Sequence, residues 1–99
     1  MTSIGSGGVV IADWTPSRRY TKEYKKLTID MQTRVDGKLD DLQKNPRPPG
    51  LGFEKLQGFK NPDIYTLHVT GNYKISFEIN GTTAWLRRVA THNEIDRAP

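Results

Sequence analysis

The chain has no cysteine and only two histidines among its 99 residues. The first absence excludes disulfides, thiolate catalysis and cysteine-ligated zinc, and it fits a reducing compartment. The second argues against a histidine-rich metal site. Long apolar runs are missing too. Near the N-terminus the apolar run is only Val9 to Ala12, with no basic segment ahead of it, and no stretch approaches the length of a membrane span. Gly-rich phosphate loops, nucleophile elbows, zinc-ligand spacings and internal repeats do not occur. The expectation is a cytoplasmic protein with no membrane partner, metal or cofactor.

Cations are in excess: 15 Lys and Arg against 11 Asp and Glu give a net charge of +4, which favours an anionic partner without naming one. A chain of this length forms one domain that buries roughly 65% of its unfolded surface, enough for a modest core without a staple. The small, Gly/Ser-rich residues 1–8 read as a flexible lead, and residues 9–97 as the domain.

The most ordered signal lies in residues 62–97. Tyr73, Ile75, Phe77 and Ile79 alternate with Lys74, Ser76 and Glu78, the pattern of a half-buried strand. The segment before it alternates in the same sense, with Tyr65, Leu67 and Val69 apolar and Thr66 and His68 polar. Matching the apolar faces pairs Val69 with Tyr73 and Leu67 with Ile75, leaves Thr70-Gly71-Asn72 as the loop, and sets His68 across from Lys74. A type I′ turn at Asn80-Gly81 would then pair Phe77 with Ala84 and Ile75 with Leu86, with Lys74 opposite Arg87. One polar sheet face thus gathers His68, Lys74 and Arg87, flanked by Thr66, Ser76, Glu78 and Trp85.

Upstream, a first strand is expected at about Val9 to Trp14. Thr15 as N-cap and Pro16 at the first helical position predict a helix to about Lys26. Tyr20, Tyr24 and Leu27 give its apolar stripe, while Lys22, Lys25, Lys26 and Arg34 read as solvated helix surface. A second helix from about Ile29 to Lys44 presents Met31, Val35, Leu39 and Leu42 on one face. Asn45-Pro46 ends it. The run PRPPGLG excludes helix and central strand, so residues 45–52 form a stiff loop before a short strand near Phe53 to Gln57. The order is β-α-α-β-β-β-β. This is an α+β fold with two N-terminal helices packed on one face of a mostly antiparallel four- to five-stranded sheet, and the other face is left open.

The run LQKNPRPPGLGFEKLQGFKNPDIYTLHVTGNYKISFEINGTTAWLRRVATHNEIDR resembles the RelE/ParE superfamily of toxin–antitoxin toxins. It has the helical hairpin, the NP-containing loop, the "KLxG" strand, the "Y-[KR]-hydrophobic" strand and an "LR-hydrophobic-x-x-H" ending, in the family's order. The resemblance covers residues 9–97. It implies a helix-backed sheet with a basic concave site, a cognate antitoxin, and mRNA cleavage in the ribosomal A site.

By that resemblance the arginine of the family's "YR" strand falls on Lys74, the C-terminal acid-base position on His92, and a strand glutamate on Glu54. His68 occupies a strand position where RelE carries a lysine. Arg87, Arg88, Lys55 and Arg47 are the cations expected to hold RNA. Cleavage by the RNA's own 2′-hydroxyl needs a base, an acid and cations, and no metal. Two departures stand out: Lys74 lacks arginine's bidentate fork, and no tyrosine follows His92. The family alignment also puts His92, and with it the even positions, on the Lys74 face, where the hairpin puts Arg87. A bulge or strand end near Ala90 would reconcile the two. The alternatives are a ParE-like inhibitor of DNA gyrase, which would need no His or Lys chemistry, and a module that only binds RNA or ribosome.

Overall fold

The computed structural model describes residues 10–44, 47–48 and 50–99; the N-terminal lead and Asn45-Pro46 lie outside the described residues. The elements are β1 (Asp13–Pro16), α1 (Arg18–Lys25), α2 (Ile29–Gln43), β2 (Glu54–Lys55), β3 (Tyr65–His68), β4 (Tyr73–Asn80), β5 (Thr83–Thr91) and α3 (His92–Arg97). The strands form one five-stranded sheet in the order β1-β5-β4-β3-β2, in which β1 runs parallel to β5 and the other pairs are antiparallel. The α+β architecture with both N-terminal helices is as the periodicity indicated. The third helix is not.

The α2 stripe is as expected. Val35, Leu39 and Leu42 are buried with Tyr20 against Leu67, Ile75, Phe77, Leu86 and Val89, and Met31, Tyr24 and Leu27 close the cluster's edge. Each fully buried Leu, Ile or Phe contributes about 1.5–3 kcal/mol, so the helix-facing side of the sheet is where the fold is held. The start of α1 needs correction. Thr15 and Pro16 belong to β1, beside Trp85 and Leu86, and Ser17 is the N-cap: its Oγ accepts from the Tyr20 N–H at 3.1 Å and donates to the Arg87 carbonyl at 2.9 Å. Proline is tolerated in β1 because an edge strand leaves one side of its backbone unpaired.

Pairing of β3 with β4 follows the apolar match, with Leu67 on Ile75 and His68 on Lys74. In the connecting loop neither Gly71 nor Asn72 takes a positive φ. Instead the Thr70 hydroxyl accepts from the Asn72 and Tyr73 N–H groups. The β4–β5 hairpin turns at Gly81-Thr82, one residue later than Asn80-Gly81, with Gly81 at φ 63° and Asn80 paired to Thr83. Phe77 therefore meets Leu86, not Ala84. A two-residue slip keeps every side chain on its own face, so alternation cannot distinguish the two registers. Next comes a bulge: Phe77 pairs with Leu86 and Ser76 with Arg88, leaving Arg87 as the extra residue. Lys74 thus lies across from Ala90, not Arg87. The bulge expected near Ala90 sits at Arg87, and it carries Arg88 and Ala90 onto the Lys74 face.

That second face is not open. Thr66, Lys74, Ser76 and Arg88 are buried there, and Ile64, Ala90 and Ile95 are buried outside the main core cluster. The cover is α3 with residues 98 and 99. Thr91 caps α3 by accepting from the Glu94 N–H, and its hydroxyl donates to the Glu94 carboxylate at 3.0 Å. This Thr-x-x-Glu box starts the helix immediately after β5.

The Thr91 hydroxyl, then the Thr91 backbone N–H, with help from Arg88 and Arg97, hold the Glu94 carboxyl below its ordinary range. A depressed carboxyl adds stability that is present above the unfolded value and lost as pH falls through the folded one. The stability gap between wild type and Glu94→Gln in thermal unfolding should therefore be full at about pH 7 and shrink as pH is taken below the ordinary carboxyl range of about 4. An equal gap at both ends would contradict this role for the cap.

Candidate active site

Four side chains singled out from sequence converge where β2, β3, β4 and α3 meet. His68 ends β3. Its N–H donates to the Leu51 carbonyl at 3.0 Å, and its ring lies against Gly52, where a Cβ would overlap the imidazole. Gly52 also has φ 69°, so glycine meets both a steric and a backbone requirement there. His92 opens α3 and is tied to the β3–β4 loop by an N–H to the Asn72 carbonyl at 2.7 Å. The two imidazole centroids are 6.4 Å apart with their planes tilted by 30°.

Lys74 rises from the centre of β4 with its side chain 4% exposed. Burying an ammonium without a counter-charge is costly, and here Asp96 Oδ1 accepts from Nζ at 2.9 Å in a charge-assisted hydrogen bond. Glu54, on the edge strand β2 beyond β3, places Oε1 4.0 Å from the same nitrogen. It is 58% exposed, so that contact is a weak, solvent-screened one. The second oxygen of Asp96 lies 3.3 Å from His92 Nδ1. One carboxylate therefore touches both the buried lysine and the exposed histidine.

Asp96 was not singled out from sequence. The signal was present in THNEIDR: once Thr91 and Glu94 are read as a capping box, His92 and Asp96 fall at i and i+4 on one helix face.

The four expected RNA-holding cations do not gather in the same way. Arg88 is 7% exposed, donates to Glu23 at 2.6 Å and to the Ala98 carbonyl at 2.9 Å, and lies 3.8 Å from the Glu94 carboxylate. Hydrogen bonding to Glu23 raises its pKa despite burial. Arg88 is an anchor that joins α1, β5 and α3. Arg87 pairs with Glu78, keeps 31% exposure, and lines a pocket of about 200 Å³ with Arg19, Trp85 and Pro99. Lys55 shares its register with Tyr65, on the face opposite Lys74, and its ammonium is 3.6 Å from Asp63. Arg47 donates to the Leu42 carbonyl and lies 4.7 Å over Phe53, whose ring packs on Tyr65 and Phe77 of the helix-side core. Burial there lowers its pKa. Strand parity sends Lys55 to the other side of the sheet, and the end of α2 holds Arg47 against that side.

The converged set suits proton transfer. Two imidazoles offer donor and acceptor nitrogens, a fixed ammonium supplies positive charge, and two carboxylates balance it. Among the described residues no three His, Asp or Glu side chains are grouped as metal ligands.

No protein-family model matches the chain, and no curated protein sequence does. Solved structures do. A chain of the RelB–RelE antitoxin–toxin complex from Methanococcus jannaschii is 28% identical, with a TM-score of 0.64 over 85% of this chain and 98% of that one. The E. coli DinJ–YafQ toxin–antitoxin complex gives 20% identity and a TM-score of 0.68, covering 87% of this chain and 98% of that one. The YoeB dimer from Staphylococcus aureus gives 18% and 0.64, covering 81% and 95%. Matched over nearly the whole of each of these relatives, the chain has the fold of the RelE, YoeB and YafQ toxins, structures of the RelE/ParE superfamily of toxin–antitoxin toxins.

Proposed function

We propose that the chain is the toxin of a type II toxin–antitoxin module and cuts mRNA in the ribosomal A site, by attack of the RNA's own 2′-hydroxyl and without a metal ion. The observation that carries this reading is the convergence of His68, His92, Lys74 and Glu54 with Asp96 on one sheet face. A gyrase-directed protein would have no use for two imidazoles poised across a gap beside a buried cation. In the reaction, one imidazole takes the 2′ proton as the O2′–P bond forms and the P–O5′ bond breaks. The other gives its proton to O5′, leaving a 2′,3′-cyclic phosphate and a 5′-hydroxyl. His92 is assigned the base and His68 the acid. Lys74 supplies a fixed positive charge beneath the phosphorane oxygens rather than a mobile phosphate clamp, because its ammonium is held by Asp96. Glu54 is the exposed carboxylate at the rim.

The partners in this reading are mRNA on the ribosome and a cognate antitoxin that covers the face, which makes the working compartment the cytoplasm. Arg18, Arg19, Lys22, Lys25 and Lys26 support an RNA partner: none has an ion-pair partner among the described residues. The acid of that helix, Glu23, is turned inward to Arg88.

Two outcomes are expected. His92→Ala should lower single-turnover cleavage of ribosome-bound mRNA by on the order of 10²-fold with unfolding temperature unchanged, since the ring is 44% exposed. Lys74→Met should lower the rate comparably and also cost at most about 3 kcal/mol of stability, because Asp96, itself 38% exposed, loses a charge-assisted hydrogen bond. Sequence alone put Lys74 on an open face, where its loss would leave folding intact; its burial makes the stability measurement necessary. Full activity in both variants would remove the nuclease reading. Binding to ribosomes should weaken more than tenfold between about 50 and 200 mM salt as phosphate contacts release counterions. Binding indifferent to salt over that range would count against an RNA partner.

A further inference from the structure

Asp96 has two oxygens and two partners, and the partners differ in kind. Oδ1 accepts from the Lys74 ammonium at 2.9 Å, which fixes the carboxylate against a side chain that is itself 4% exposed. Oδ2 faces His92 Nδ1 at 3.3 Å. A carboxylate is an acceptor only, whereas a neutral imidazole has one N–H and one bare nitrogen. At 3.3 Å the approach is an ion-pair contact, and beside a carboxylate oxygen a protonated Nδ1 is favoured over one that turns its lone pair to the negative charge, which leaves Nε2 bare.

The helix makes this arrangement stiff. Thr91 caps α3, Ile95 between the two residues is fully buried, and the i, i+4 spacing stacks Asp96 over His92 on one face. The other charged or titratable groups around the ring are His68 on β3, Lys74 on β4 and Glu54 on β2. Of the carboxylates, Asp96 alone has a contact with the ring within ion-pair distance among the described residues.

We propose that Asp96 is a positioning residue of this site: by bridging Lys74 and Nδ1 of His92, it holds the ring's proton on Nδ1 and presents Nε2 as the proton acceptor. Its catalytic consequence rests on the nuclease reading above, in which the 2′ proton passes to Nε2 and the resulting imidazolium is stabilised by the carboxylate behind it. A residue that only neutralised Lys74 would have no effect on which nitrogen of His92 is protonated.

The experiment has two arms. Nitrogen-15 NMR of the free full-length protein, at a pH where the rings are neutral, reads the tautomer of each of the chain's two histidines. The expected result is His92 in the Nδ1–H form in wild type and a shift toward Nε2–H in Asp96→Ala, with His68 unchanged. His92 in the Nε2–H form in wild type overturns the proposal, and that measurement stands even where Asp96→Ala does not fold. An Asp96→Ala tautomer identical to a wild-type Nδ1–H form overturns it as well.

In the second arm, ribosome-bound mRNA is cleaved by wild type, Asp96→Ala and Asp96→Glu. Asp96→Ala should lose on the order of tenfold or more in kcat with little change in KM, and Asp96→Glu, which keeps a carboxylate on the same helix face, should recover part of it. A loss of rate with an unmoved tautomer assigns Asp96 to Lys74 alone and contradicts the proposal. If wild type cleaves nothing, the nuclease reading fails and the tautomer decides the positioning role by itself.

Discussion

An ammonium removed from water needs a counter-charge within hydrogen-bonding distance, and for Lys74 that counter-charge comes from the last turn of the chain. The Lys74–Asp96 pair joins the middle strand of the sheet to α3. It fixes where α3 lies, and with it the position of His92. Removing either partner leaves a charge in a half-enclosed site without its match, so the pair sets both the local stability and the geometry of the histidines. The remaining contacts of α3 act in the same direction: the Thr91 cap, the buried Ile95, the Arg88–Glu94 ion pair and the Arg88 hydrogen bond to the Ala98 carbonyl.

The bulge at Arg87 is the second constraint. Without it, β5 would continue in one register and Arg88 and Ala90 would face the helices. With it, the strand presents Leu86 and Val89 to the core, while Arg88 reaches Glu23 and Ala90 lies opposite Lys74 under the C-terminal cover. Two adjacent arginines of the same chemistry consequently have different environments: Arg88 is internal, and Arg87 borders a pocket beside Trp85.

Much of this was legible in the sequence. Period-two alternation in Tyr73 to Ile79 and in Tyr65 to Val69 specified the strands and their faces, and joining the matched faces by the short Thr70-Gly71-Asn72 loop gave the His68–Lys74 juxtaposition. The stripe of α2 was equally readable. The β4–β5 turn was not, since a two-residue slip preserves every face. Nor was the exact place of the bulge, expected near Ala90 and found at Arg87, where the Ser17 hydroxyl donates to the Arg87 carbonyl. The covering helix was missed because its six residues hold a single buried apolar position, Ile95, and periodicity needs more than one. The positions of Lys55 and Arg47 were not readable either: a positive charge in sequence says nothing about which side of a sheet it will occupy.

The central claim is that the RNA cleaves itself through its 2′-hydroxyl at a site built from His92, His68 and Lys74. The most direct measurement uses a ribosome-bound mRNA in which the nucleotide cut by this protein carries a 2′-deoxy sugar, with DNA gyrase supercoiling assayed in parallel. The account expects cleavage of the all-ribose message to a 2′,3′-cyclic phosphate end, no cleavage at the deoxy position, and unaffected supercoiling. Equal cleavage at the deoxy position, or an intact message with gyrase arrested, would contradict it.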